Sequence, residues 1–119
     1  MYATLTIGGT DYKMRLGAAH IMELEKHLGG RNPLDILMNV EKGALPPLTD
    51  TLRILHASMQ QFQHGVSFAD AMRLYDQYVA DGGSYIELIP SLIEVFRVSG
   101  FFREAPAAAP AEKAKKANK

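Results

Sequence analysis

The first 16 residues alternate between apolar and polar side chains. The apolar positions are Ala3, Leu5 and Ile7 before Gly8-Gly9, and Tyr12, Met14 and Leu16 after it. Period-two alternation on both sides of a Gly-Gly pair predicts a β-hairpin with one buried face. Because an isolated hairpin is only marginally stable in water, we expect it to lie against helices or to pair with another strand.

From Ala18 onward the apolar spacing becomes helical, and turn and capping residues divide this region into about five helices. The helix starts are marked by Asn32-Pro33, by Ser67 with Asp70, and by the capping box of Ser84 and Glu87. The predicted stripes are Leu48, Leu52, Leu55, Met59 and Phe62 on the third helix, which His64-Gly65 closes, and Phe68, Met72, Tyr75 and Val79 on the fourth. Pro90 is expected to kink or split the fifth helix.

The segment from Tyr85 to Phe102 has almost no polar face. A helix that is apolar nearly all round is either central to the core or covered by a partner. Under the second interpretation the candidate partner-binding residues are Leu92, Phe96, Phe101 and Phe102. Under the first, the same side chains simply form the core.

These patterns predict an α+β fold that is mostly α, with an N-terminal β-hairpin packed on about five helices. Residues 1–103 form the predicted single domain. Residues 104–119, rich in Ala, Pro and Lys, contain no apolar side chain larger than alanine and are expected to be a disordered tail.

Composition excludes several classes of function. The formal net charge is zero, with 13 basic and 13 acidic residues, so no general attraction for nucleic acid is expected. The chain has no cysteine, which removes disulfides and thiol chemistry and suits a reducing cytoplasm. We see no secretion signal and no apolar run of the length that a membrane span needs, so no membrane partner is expected.

No arrangement typical of catalysis or of metal or cofactor binding is present. His20 and His27 are seven residues apart, and His56 and His64 eight apart, neither of which is the i, i+4 spacing of a helical metal clamp. No phosphate-binding glycine loop or nucleophile motif occurs. We therefore expect no enzyme, no cofactor and no metal, and histidines with structural or surface roles.

Several segments together resemble a known family. They are Leu24-Glu25-Lys26-His27-Leu28-Gly29, Asn32-Pro33-Leu34-Asp35, Leu45-Pro46-Pro47-Leu48, Ile54-Leu55-His56-Ala57-Ser58-Met59, Leu74-Tyr75-Asp76 and Val95-Phe96-Arg97. With the hairpin, they resemble the small tail assembly chaperones of long-tailed bacteriophages and prophages, over roughly residues 4–102. The resemblance implies a helical protein of the host cytoplasm that binds the tape-measure protein, and tail-tube subunits, during tail morphogenesis. It implies no catalytic residue.

Two other functions remain open. The chain could be a structural tail connector or completion protein retained in the virion, which would also need a protein-binding face. A small helix-turn-helix regulator is less favoured, because neither the third nor the fourth helix has a basic, polar recognition face. In each binding interpretation, self-association into a homo-oligomer is a further expectation.

Overall fold

A computed structural model describes residues 1–102 and contains a two-stranded antiparallel hairpin followed by five α-helices, which confirms the predicted fold class. The elements are β1 (Ala3–Ile7), β2 (Thr10–Met14), α1 (Ala18–His27), α2 (Pro33–Met38), α3 (Leu48–Met59), α4 (Phe68–Ala80) and α5 (Tyr85–Val98). A 3₁₀ turn, Asn39–Lys42, continues α2. The tail predicted for residues 104–119 lies outside the described residues.

The hairpin turns through Gly8 and Gly9, whose φ angles of 58° and 80° are both left-handed. A two-residue loop with two positive φ angles is the tight turn that matches the twist of antiparallel strands, and glycine adopts it without strain. The register places Ile7 opposite Thr10 and Ala3 opposite Met14. The inner face of β1 is buried and its two threonines are exposed, as the alternation predicted.

Local capping fixes the helix starts. The Asn32 side chain accepts hydrogen bonds from the backbone N–H groups of the first turn of α2, and Pro33 is the first helical residue. Ser67 and Asp70 form a reciprocal capping box on α4. The Ser84 hydroxyl accepts from the Glu87 N–H at the start of α5. Each of these N-caps was predicted, because it depends on side chains only two or three residues away. The capping box predicted for Ser84 and Glu87 is only half formed, since among the described residues no hydrogen bond returns from the Ser84 N–H to the Glu87 side chain.

Two of the predicted apolar stripes need correction. α3 ends at Met59, well before His64-Gly65, so Phe62 lies in the following turn and is exposed, as is Leu48. On α4, Met72 and Val79 are exposed, and the side that packs on the core presents Phe68, Ala71, Leu74, Tyr75 and Tyr78. The face of α4 that packs on the core is therefore centred on Ala71, with aromatic side chains on both sides of it, and this face is rotated relative to the predicted stripe.

α5 is the central helix and contacts α2, α3 and β1. It runs through Pro90 as one helix, so it is not split there, and Pro90 itself is exposed. The inner positions are all buried, namely Leu88, Ile89, Leu92, Val95, Phe96 and Val98. The apolar composition of this segment is therefore explained mainly by its place in the core. No helix within residues 1–102 is both long enough and apolar enough to cross a membrane.

Candidate functional site

An open groove separates the first turns of α1 from the C-terminal end of α5. Its volume is about 340 Å³, and its walls are Leu16, Gly17, Ala18, Ile21, Met22 and Glu25 on one side and Ser99 and Phe101 on the other. The Leu16 N–H donates to the Ser99 hydroxyl at 2.9 Å, which ties the two walls together. The groove is therefore part of the fold itself, and its lining combines apolar side chains with polar groups such as Glu25 and Ser99.

The C-terminal cap of α5 positions Phe101. Gly100 adopts a left-handed φ of 91°, its N–H donates to the Arg97 carbonyl, and the Phe101 N–H donates to the Phe96 carbonyl at 3.0 Å. This is a Schellman motif, in which the residue after the glycine usually contacts the last turn of the helix. The rings of Phe101 and Phe96 meet edge to face, with centroids 4.9 Å apart. The Phe101 side chain is thus held in place while 41% of the residue stays exposed.

Met22 lines the same groove on its α1 side and is 63% exposed. Methionine is flexible and polarisable, so it can adapt to the irregular surface of a bound protein. Sequence reasoning did not single out Met22. The available signal was its position on α1, one residue after Ile21 and off the face of Ile21, Leu24 and Leu28, which are buried.

The four predicted partner-binding residues do not share one environment. Leu92 and Phe96 are fully buried, so in this fold neither is accessible to a partner. Phe102 is half-buried and packs against the core. Only Phe101 combines exposure with a place in the groove. The structure therefore favours the core interpretation for Leu92 and Phe96, and the candidate site consists of Phe101 and Met22 with the surrounding groove walls.

A second pocket lies between α1 and α3 and brings three histidines together. Its lining includes His20, His27 and His56, with Arg53 and Glu23 beside them. The His27 imidazole is 3.6 Å from the Glu23 carboxylate. The guanidinium of Arg53 stacks on the Phe68 ring at 3.8 Å, and His56 meets the same ring edge to face. Within residues 1–102 no group of three or more His, Asp or Glu is arranged to hold a metal ion.

The environment of His56 disfavours its charged form. Burial lowers the pKa of His56, and the positive charges of Arg53 and His27 lower it further, while an interaction with the Val66 backbone acts in the opposite direction. A folded-state pKa below the unfolded value means that the unfolded chain binds more protons, so stability falls as the pH falls through the unfolded value of about 6.5.

We accordingly expect the melting temperature to drop between pH 7.5 and pH 5.5, and to drop less in His56→Gln. Since the Gln side chain does not titrate in this range, the difference between the two curves isolates His56. His64→Gln, at an exposed residue outside this pocket, is the matched control and should follow the wild-type curve. Parallel curves for wild type and His56→Gln would contradict the expectation.

Comparison with models of protein families gives a match over almost the whole chain. Residues 2–119 match the family described as Family of unknown function (DUF6096). The chain belongs to this family. No curated protein and no solved structure matches it. The description of the family states no activity, so the resemblance to tail assembly chaperones stays a prediction.

Proposed function

We propose that this protein is a tail assembly chaperone of a long-tailed bacteriophage or prophage. It acts in the host cytoplasm and binds the tape-measure protein, and in turn tail-tube subunits, while the tail is built. The observation that carries the proposal is the groove between α1 and the end of α5, where two large apolar side chains, Met22 and Phe101, are exposed on the two sides. The segments that resemble the chaperone family lead to the same function.

The groove suits a helical client. An amphipathic helix binds by placing successive apolar side chains of one face into an apolar groove. Met22 and Phe101 supply two such contacts, and the partly exposed Glu25 at the rim can contact a polar or basic residue beside the apolar face of the client. The hydrogen bond between Leu16 and Ser99 joins the backbone of the two groove walls before a client binds, which reduces the ordering cost to that of the exposed side chains.

Replacing Met22 by Ser tests this site. Loss of the buried thioether contact is expected to weaken binding by about 1 kcal/mol, roughly five-fold, because a fully buried methionine contributes about 1.5–3 kcal/mol. If the proposal holds, a long tape-measure protein is encoded beside this gene. The measurement is co-expression with that protein, followed by affinity capture and titration of the purified complex.

Met72→Ser is the matched control, since Met72 is an exposed methionine on α4 and does not line the groove. It should bind as the wild type does, and both variants should keep the wild-type melting temperature. Equal weakening by the two substitutions would remove the groove from the proposal. Absence of any complex between the wild-type chain and the tape-measure protein would overturn the proposed function itself.

A further inference from the structure

The outer edge of β1 presents backbone groups that have no hydrogen-bond partner among residues 1–102. Thr4 lies opposite Lys13, and the Lys13 N–H and carbonyl bond instead to the Gln63 side-chain amide, at 3.1 and 2.9 Å. Both Lys13 groups therefore point away from β1. In an antiparallel pair, directly opposite residues either bond to each other or both point outward. The N–H and carbonyl of Thr4 consequently point away from β2, and those of Thr6, two residues further on, do the same.

The two edges of the hairpin differ in whether their outward-pointing backbone groups are hydrogen-bonded. Along β2, Gln63 occupies both backbone groups of Lys13, and the Arg15 N–H donates to the Ser58 carbonyl at 3.0 Å. Beside β1, the Gly8 N–H donates to the Asp81 carboxylate. Within residues 1–102, the backbone groups of Thr4 and Thr6 that point outward form no hydrogen bond.

Natural edge strands usually avoid unwanted pairing by means of charged residues, prolines or bulges. The β1 strand has none of these: its sequence is Ala-Thr-Leu-Thr-Ile, and the register with β2 is regular throughout. Its exposed threonines have high β propensity. The edge is thus suited to pairing, whereas the opposite edge is closed by Gln63 and Ser58.

We propose that β1 pairs antiparallel with β1 of a second copy of this chain, about a two-fold axis that passes beside Leu5. In this register Thr4 lies opposite the partner's Thr6, and Thr6 opposite the partner's Thr4. Each of these pairs exchanges both N–H···O hydrogen bonds, because all of the groups involved point outward. The two hairpins become one four-stranded sheet.

A second copy fits this edge because the edge is complementary to itself. Opposite residues on an antiparallel sheet project to the same face, so Leu5 of both copies lies on the helix-covered face and the threonines lie together on the outer face. The outer row then reads Lys13, Thr4, the partner's Thr6 and the partner's Asp11. This row has a positive charge at one end and a negative charge at the other. The two threonines at its centre form a favourable cross-strand pair. A sheet of four strands with one apolar face is also more stable than a lone hairpin.

Sedimentation equilibrium of the full chain across a wide concentration range tests the proposal. The wild-type protein should approach twice the 13.1 kDa mass of one chain. Thr6→Pro should remain at the mass of one chain, because it removes an outward N–H that β2 does not use. Thr6→Val is the matched control. It loses the same side-chain hydrogen bond to Asp11 but keeps the N–H, and it should dimerise.

A second pair of variants tests the register and does not depend on proline. Thr4→Glu with Thr6→Glu places like charges opposite each other across the axis and should give a single chain. Thr4→Glu with Thr6→Lys places Glu opposite Lys in both pairs and should restore the doubled mass. Within each hairpin this second variant also sets Glu opposite Lys13 and Lys opposite Asp11, so its fold is supported.

A wild-type chain that keeps the mass of one chain at every concentration overturns the proposal, and so does a dimer that survives Thr6→Pro. If Thr6→Pro fails to fold, the two double variants with charged residues at positions 4 and 6 provide the test. Equal masses for these two variants would reject the proposed register. None of these results depends on the tape-measure protein, so the dimer can fail while the proposed chaperone function stands, and the reverse also holds.

Discussion

Replacing Phe96 by alanine is expected to lower the free energy of unfolding by about 3–5 kcal/mol, the cost typical of removing a fully buried phenylalanine. Phe96 has no exposed surface, belongs to the core cluster, and supports the ring of Phe101. Truncation leaves a cavity among rigid neighbours from α5 and the elements around it. The measurement is urea unfolding followed by circular dichroism, for the full chain.

Phe101→Ala is the matched comparison, because the two rings touch each other and only their burial differs. Because 41% of Phe101 is exposed, this substitution should lower the free energy of unfolding by only about 1–2 kcal/mol. The loss comes from the buried part of the side chain and from the contact between the two rings. A larger loss of stability from Phe101→Ala than from Phe96→Ala would show that the assignment of core and surface residues is reversed. Phe101→Ala should also weaken client binding, whereas Phe96→Ala should act through stability.

The features that sequence reasoning predicted correctly depend on near neighbours. The Gly8-Gly9 turn, the Asn32 cap and the Ser67 cap each involve residues within three positions of one another. Their geometry follows from backbone sterics and from the unpaired N–H groups at a helix start, which do not depend on the rest of the fold. The strand alternation was equally informative, because one side of a half-buried strand must be apolar.

The features that sequence reasoning missed depend on contacts between distant segments. Phe96 and Phe101 are both phenylalanines in one apolar run, and only the Schellman turn at Gly100 separates a buried ring from an exposed one. Met72 and Val79 fit a helical stripe, but the packing of α4 turned them outward. An apolar period constrains which residues share a face, and tertiary packing decides which face is covered.

The polar contacts between distant segments could likewise not be predicted from the sequence. His20 and His27 lie on α1 while His56 lies on α3, so their shared pocket depends on how these helices pack and not on spacing along the chain. Asp81 directly precedes Gly82-Gly83, a context typical of a solvated turn, yet its carboxylate accepts from the Gly8 N–H, 73 positions away. An aspartate that stabilises its own turn and one that accepts a hydrogen bond from a distant backbone N–H occur in the same local sequence, so the sequence does not distinguish them.

Replacing Tyr85 by phenylalanine is expected to lower the free energy of unfolding by about 1–3 kcal/mol, the cost of leaving buried polar groups without a partner. The Tyr85 hydroxyl donates to the Pro46 carbonyl at 2.6 Å and lies 2.7 Å from the Thr51 hydroxyl. Since the single phenolic proton is directed to Pro46, the Thr51 hydroxyl must be the donor in the second bond. Burial raises the pKa of Tyr85, which keeps the phenol protonated as this arrangement requires.

This chain of bonds joins the start of α5 to the start of α3, so its loss should be measurable by urea unfolding at neutral pH. Tyr75→Phe is the matched control. Tyr75 meets Tyr85 edge to face, and its hydroxyl forms no hydrogen bond within residues 1–102, so its removal should cost under about 0.5 kcal/mol. Adding Thr51→Val to Tyr85→Phe should cost less than Thr51→Val alone, because the two hydroxyls share one bond. Strictly additive effects would mean that the two hydroxyls act independently and that the bond between them contributes nothing to stability.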